Sequence, residues 1–137
     1  MKPLLRILLT AALVPALTSA QSRAGDTLTI YLVDVEGGNA TLFVSPTGQS
    51  MLIDTGNGGA AADRDVSRIL AATEDAGLTQ IDHLVTTHWH GDHYGGLADL
   101  ASRIPIRHYI DHGPTVEDNA RVQDFMNGTY RGLYTAA

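Results

Sequence analysis

The feature that most constrains this chain is a histidine-rich stretch over residues 87–96, with the sequence THWHGDHYGG. Three histidines and one aspartate fall within six positions of it: His88, His90, Asp92 and His93. The preceding run over residues 81–87, IDHLVTT, is rich in β-branched residues and predicts a buried strand. A strand therefore delivers the cluster into a glycine-flanked turn, where open sites commonly lie.

The spacing within this cluster suits metal binding. Because His88 and His90 are two positions apart in extended backbone, their side chains point to the same side and can reach one ion. Gly91 then allows the chain to turn, so that Asp92 and His93 face a neighbouring position. The chain contains no cysteine, which leaves only histidine and carboxylate ligands for a transition metal. The pattern predicts two adjacent metal sites, with a solvated polar loop as the alternative.

Upstream of the cluster, the sequence predicts an antiparallel meander of three strands. Residues 27–35 (TLTIYLVDV) alternate in polarity, and the turn over residues 37–39 leads into a returning strand over residues 40–44. A second turn over residues 46–48 then leads into a third strand over residues 50–54. Short connections of this kind join antiparallel neighbours, whereas parallel strands need a crossover.

Helices are predicted between and after these strands. Apolar residues recur at helical spacing between residues 66 and 73, and Gly77 ends that helix. Thr115 and Asp118 have a capping-box-like spacing at the start of the last predicted helix. The elements expected after the histidine cluster are a short helix over residues 97–104, a strand over 106–113, and a helix from Thr115 to about Asn127 that Gly128 ends. The fold class is therefore mixed α/β (α+β), with a mostly antiparallel sheet and flanking helices.

The first twenty residues predict a secretory signal peptide. They combine a cationic start, an apolar run over residues 7–17 and small residues up to Ala20, after which cleavage is expected. A membrane anchor is the alternative, but the run is shorter than the roughly 20 residues that a bilayer requires, and Pro15 interrupts it. We therefore expect a secreted or periplasmic protein with no stable membrane span after cleavage, in which residues 21–137 form one domain.

The charge of the chain limits its partners. Removing the two leader cations, Lys2 and Arg6, takes the formal net charge from −6 to −8. A surface this acidic disfavours extended binding of nucleic acid or anionic lipid. A bound metal ion can still create a local cationic site.

The histidine cluster resembles a known signature. HWHGDH, residues 88–93, resembles the His-x-His-x-Asp-His motif of the metallo-β-lactamase fold superfamily, and LIDTG, residues 52–56, resembles its upstream aspartate motif. More narrowly, residues 33–56 are similar to the hydrolase branch of DNA-uptake competence proteins, in which a Gly-Gln-Gly-Asp-like turn stands where this chain has residues 36–39. The resemblance covers residues 27–113.

This resemblance implies a role for each motif residue. His88 and His90 would bind a first zinc ion, Asp92 and His93 would bind a second, and Asp54 would brace the metal-binding loop from beneath. Two such ions, about 3.5–4 Å apart, would share a hydroxide that attacks an ester, amide or phosphodiester. Asp92 would also move the proton to the leaving group. Zinc is the implied metal, with manganese and iron as alternatives.

The chain also departs from the family pattern. Family members complete the site with further ligands downstream. The only histidines after His93 in this sequence are His108 and His112, and neither matches a family ligand by position. Each is either a compensating ligand or a surface residue. The family fold is a four-layer αββα sandwich of two halves, of which this chain supplies the N-terminal half with an exposed apolar face.

Two functions remain open from the sequence. The first is an exported zinc-dependent hydrolase, incomplete in this apparently truncated chain, acting on a small molecule or a phosphodiester. The second is an inactive half-domain or metal-binding fragment that another chain completes, through association at the exposed half-sandwich face.

Overall fold

A computed structural model of the protein describes residues 27–116 and 118–137. The expected signal peptide over residues 1–20 lies outside the described residues. The strands are β1 (Thr29–Leu32), β2 (Thr41–Val44), β3 (Ser50–Ile53), β4 (Ile81–Thr86) and β5 (Ile106–Asp111). The helices are α1 (Ala62–Asp75), α2 (Gly91–Tyr94), α3 (Leu97–Arg103), α4 (Ala120–Phe125) and α5 (Arg131–Ala136), with a 3₁₀ turn at Gly59–Ala61 and a π-helical turn at Met126–Tyr130. Within the described part of the chain, no helix is both long enough and apolar enough to cross a bilayer.

The five strands form one sheet in chain order. β1, β2 and β3 pair antiparallel, which confirms the predicted meander. β3, β4 and β5 pair parallel, because helices carry the chain from each strand to the next. The predicted mixed α/β class is confirmed, and the sheet is antiparallel in its first half and parallel in its second. The parallel pairing brings the ends of β3 and β4 to the same edge, where the histidine cluster follows.

The helices cover one face of the sheet. α1 turns Val66 and Ile69 toward the sheet, and both are fully buried. Burying an aliphatic side chain of this size contributes about 1.5–3 kcal/mol. The other fully buried aliphatic side chains come from the strands and from α3: Leu42, Leu52, Ile81, Leu84, Leu97 and Leu100. These contacts fix β3, β4 and α1 as the frame on which the site is built.

On the opposite face of the sheet, the described residues include exposed apolar side chains. The strand registers place five residues in one row across this face: Ile30, Phe43, Met51, His83 and His108. Beside this row, Leu32 is 83% exposed and Ile110 is 45% exposed. Exposed apolar side chains on one sheet face are the feature that the prediction of a half-sandwich requires. The exposed face expected of a half-sandwich is therefore present.

The C-terminal helices differ from their prediction at both ends. The Asn119 side chain caps α4 by accepting from the backbone N–H groups of Arg121 at 3.1 Å and Val122 at 3.4 Å, so the predicted start at Thr115 is wrong. Asparagine is among the best N-cap residues, which explains the later start. Gly128 does not end the helix, because Tyr130 is 3% exposed and anchors the next turn in the core. That burial outweighs the penalty of about 1 kcal/mol for a helical glycine.

Candidate active site

Three histidine rings meet where β4 ends. The ring centroids of His88 and His90 lie 4.5 Å apart, and those of His88 and His93 lie 3.9 Å apart. His90 has extended backbone, and its carbonyl accepts from the N–H of His93 at 2.9 Å, which begins α2. The extended segment thus places the first two rings together, and the first turn of α2 returns His93 to them. The Asp92 carboxylate lies 3.7 Å from Nε2 of His93.

Asp54 lies beneath this cluster at the end of β3. Its side chain is 1% exposed, and its oxygens accept from the Thr87 backbone N–H at 2.8 Å, the Thr87 hydroxyl at 2.7 Å and the Asn39 amide at 3.1 Å. Oδ2 also lies 2.8 Å from Nδ1 of His93. Because an ionised carboxylate only accepts, this contact places the proton of His93 on Nδ1 and leaves its Nε2 turned toward Asp92.

The backbone of Asp54 is itself constrained. Its φ is +61°, a left-handed conformation that few residues other than glycine adopt. Such a conformation costs about 1–3 kcal/mol and persists where surrounding contacts determine it. The four contacts of the Asp54 side chain hold the residue in this strained conformation, and they thereby fix the position of its carboxylate.

Backbone hydrogen bonds hold the loop that carries the histidines. The Thr55 N–H and hydroxyl both donate to the carbonyl of His93, at 2.7 Å and 3.1 Å. The Asn39 N–H donates to the carbonyl of Asp92 at 3.3 Å. A Cβ at Gly38 would overlap that same carbonyl oxygen, so only glycine fits this position. The start of α2 is therefore clamped from two sides by the loops that follow β1 and β3.

Burial and neighbouring cations affect the protonation of His88. Burial lowers the pKa of this imidazole, and the positive charges that His93 and His90 carry when protonated lower it further. The Thr87 hydroxyl lies 3.1 Å from Nδ1 of His88. A neutral imidazole is the form that binds metal ions, so this environment favours the ligand state of His88.

The cluster fits a divalent metal in the kind of donors that it brings together. Three imidazoles and one carboxylate match the ligands that zinc takes in the absence of cysteine. The contact between Asp54 and His93 is the kind of carboxylate bracing that metal-bound histidines usually receive. Within residues 27–116 and 118–137, however, no group of three or more His, Asp or Glu side chains is arranged to hold an ion. The four predicted ligands therefore form at most part of a site, and their metal role stays a prediction.

The remaining histidines lie elsewhere. His83 and His108 are cross-strand neighbours whose rings stack at 5.2 Å. His108 also lines a cleft of about 570 Å³ beside β5. The ring of His112 lies 6.4 Å from that of Trp89. Whether either histidine acts as a compensating ligand stays a prediction.

Two residues of the site were missed by sequence reasoning. Asn39 contacts both the carbonyl of Ile53 and the carboxylate of Asp54, and Thr87 gives Asp54 two hydrogen bonds. Their only signal in the sequence is a polar residue beside a motif, which does not separate them from ordinary turn residues.

Trp89 is 3% exposed, and its indole N–H donates to the carbonyl of Gly113 at 2.9 Å. This indole packs the histidine loop onto the aromatic core near α4.

Comparison with known proteins agrees with this geometry. The profile of the metallo-beta-lactamase superfamily matches residues 33–128, which include every predicted site residue. An atrochrysone carboxyl ACP thioesterase of Passalora fulva is 35% identical over 72% of this chain and 30% of its own length. Thioesterase pkgB of Emericella nidulans is 34% identical over 72% of this chain and 29% of its own length. The lactamase-like protein nscB of Aspergillus fumigatus is 38% identical over 80% of this chain and 36% of its own length.

The chain thus spans about a third of the length of these relatives. None of the three is named as a competence protein, so the narrower resemblance to that branch stays a prediction. The superfamily match covers well over half of the chain, including both the aspartate motif after β3 and the histidine motif after β4. The sheet flanked by helices agrees with part of the αββα fold. The chain belongs to the metallo-β-lactamase superfamily, whose members usually bind metal.

Proposed function

We propose that this chain carries the histidine side of the active site of a metal-dependent hydrolase that cleaves acyl esters, with thioesters as the favoured class. The observation that carries the proposal is the convergence of three imidazoles and Asp92 over the buried carboxylate of Asp54. The thioester class is supported by two relatives named as thioesterases. We favour a thioester over the phosphoester that the competence-like residues suggest, because the two thioesterases align with nearly three quarters of the chain.

Each residue of the cluster has a stated part in this proposal. His88, His90, Asp92 and His93 would hold the metal. When bound, the metal would polarise the scissile carbonyl and lower the pKa of the attacking water. Asp54 holds the proton of His93 on Nδ1, so that Nε2 keeps its lone pair. The side chain of Asp92 is 47% exposed, which suits it to carry a proton to the leaving thiolate.

A second candidate is a metal-binding part-domain that works only with a further layer of polypeptide. The open apolar face of the sheet favours it, as does the incomplete donor group in the described residues. In that case the partner would pack on the row that contains Ile30 and Met51. Export of the protein is proposed on the leader-like residues 1–20 alone.

One experiment separates the two candidates. The full chain is loaded with zinc, its metal content is measured, and hydrolysis of S-phenyl thioacetate, p-nitrophenyl acetate and bis-p-nitrophenyl phosphate is followed. His90→Ala is compared with His108→Ala, a matched histidine outside the cluster. Thioester turnover lost only in His90→Ala supports the hydrolase. Bound zinc without turnover supports the part-domain, and the absence of both refutes a metal function for this chain.

A further inference from the structure

The loop between β1 and β2 lies against the site in an unusual conformation. Glu36, Gly37 and Gly38 all have positive φ, at 53°, 106° and 76°. Glycine adopts this conformation readily, whereas glutamate does not. Directly after these residues, Asn39 donates its N–H to the carbonyl of Asp92. A loop that contacts Asp92 therefore depends on something that keeps Glu36 in place.

Arg64, at the start of α1, makes that connection. Its Nη1 lies 2.6 Å from Oε2 of Glu36, and its Nε lies 2.7 Å from Oδ1 of Asp65. Nη2 also donates to the carbonyl of Val35 at 3.3 Å. Arg68, one turn later, adds a contact to Oε1 of Glu36 at 3.2 Å. The planar guanidinium of Arg64 thus joins the strained loop to a carboxylate on the helix.

Asp65 extends this connection into the interior. It is fully buried, and its Oδ2 accepts from the backbone N–H of Asn57 at 2.8 Å and from the Asn57 amide at 3.0 Å. The same amide donates to the carbonyl of Val35 at 2.7 Å. Burial alone would raise the pKa of Asp65, but the hydrogen bonds from Arg64 and Asn57 outweigh it and hold the pKa below its usual value. A buried carboxylate with these partners ties the loop after β3 to the loop after β1.

We propose that Arg64, Asp65 and Asn57 form a positioning network that sets the place of Asp92 through the loop over residues 34–39. The described contacts of these three residues lead to Glu36, to Val35 and to one another, so they act on the cluster through Glu36 and Asn39. The consequence for metal binding rests on the proposed function, whereas the effect on the loop does not. Loss of the network releases Glu36 from its left-handed conformation and weakens the contact between Asn39 and Asp92.

The chain offers a matched control for this network. Arg103 on α3 is 35% exposed, as is Arg64, and it also bridges two carboxylates, Asp63 and Asp99. Within the described residues, its ion pairs are to carboxylates on α1 and α3, not to the loop over residues 34–39. Arg64→Gln is compared with Arg103→Gln by hydrogen exchange of the Asn39 amide and by zinc affinity. We expect exchange at Asn39 to rise at least about tenfold in Arg64→Gln and zinc affinity to fall about 10–100-fold, as for other residues that support metal ligands.

Two further variants keep the test decisive. Glu36→Gln changes the loop side of the network at an exposed position, and we expect it to raise Asn39 exchange without unfolding the chain. Arg64→Lys keeps the positive charge but lacks the forked guanidinium, so it should restore Asn39 exchange and zinc affinity only in part. Equal Asn39 exchange in Arg64→Gln and Arg103→Gln overturns the proposal, as does unchanged zinc affinity in a chain that binds zinc. A chain that binds no zinc refutes the proposed function, while the exchange data still decide on the network.

Discussion

Replacing Asp54 provides the sharpest test of how the site is held. Asp54→Ala removes the acceptor of four hydrogen bonds, two from Thr87 and one each from Asn39 and His93. A bond to a charged group contributes about 1.5–3 kcal/mol, but these bonds share one carboxylate and do not add. Asp54→Ala leaves the donors of Thr87 and Asn39 without an acceptor, and each buried donor left in this way costs about 1–3 kcal/mol, so the total loss is about 3–5 kcal/mol. We expect a loss in that range in the free energy of unfolding.

A comparison of alanine with glycine at position 54 separates the loss of hydrogen bonds from the effect of backbone strain. Alanine is strained at a φ of +61°, whereas glycine is not. Asp54→Gly should therefore be more stable than Asp54→Ala by about 1 kcal/mol, although glycine usually destabilises relative to alanine. Both variants lose the hydrogen bonds equally, so their difference measures the strain.

Urea unfolding at neutral pH measures these free energies, and ¹⁵N shifts of the His93 ring report its tautomer. Asp99→Ala is the control, because Asp99 lies in a surface ion pair with Arg103, and such pairs contribute at most about 1 kcal/mol. A loss below about 1 kcal/mol in Asp54→Ala, or an unchanged His93 tautomer, would refute the reasoning that Asp54 fixes the histidine loop.

Three further outcomes follow from the described contacts. Because the pKa of Asp65 is depressed in the folded state, its ionisation stabilises the fold above the usual carboxyl pKa, and this contribution is lost as the pH falls through the folded pKa. Urea unfolding between pH 2 and 6 should therefore show that the free energy of unfolding falls less with decreasing pH in Asp65→Asn than in the wild type. Leu32→Lys places a charge on the exposed sheet face and should reduce self-association in sedimentation velocity. Its free energy of unfolding should stay within about 0.5 kcal/mol of the wild type. Unchanged self-association would contradict the proposal that this face is a docking surface. Asn119→Ala removes the N-cap of α4 and should destabilise the protein by about 0.5–2 kcal/mol in thermal unfolding, whereas Asn119→Asp, which keeps a capping oxygen, should have little effect.

The open sheet face and the incomplete donor group have a common origin in the architecture. The histidines lie at the edge of the sheet where β3 and β4 end, and the apolar row lies on the face opposite the helices. In the four-layer sandwich that the resemblance implies, a second half would complete both features. A partner that covers the row around Met51 would therefore also approach the exposed side of Asp92, and stability and metal binding should respond together.

The sequence by itself predicted the local parts of this protein. The alternation before Val44 predicts antiparallel strands, and the His-x-His spacing predicts the rings of His88 and His90 on one side, because each depends on backbone geometry over a few residues. The half-sandwich with an open face was predicted from the superfamily resemblance and the chain length together. The site residues named from the motif were gathered at one edge for the same local reason.

Only the tertiary structure decided the contacts between distant residues. Asp54 and His93 are 39 positions apart, and they meet because β3 and β4 pair in parallel, which local patterns do not specify. The left-handed backbone of Asp54 and the network from Arg64 to Glu36 likewise depend on packing of α1 against the loops. The end of the last helix was missed because burial of Tyr130 overrides the local signal of a glycine. The histidine motif could be predicted from neighbours in sequence, whereas what holds it in place follows from neighbours in space.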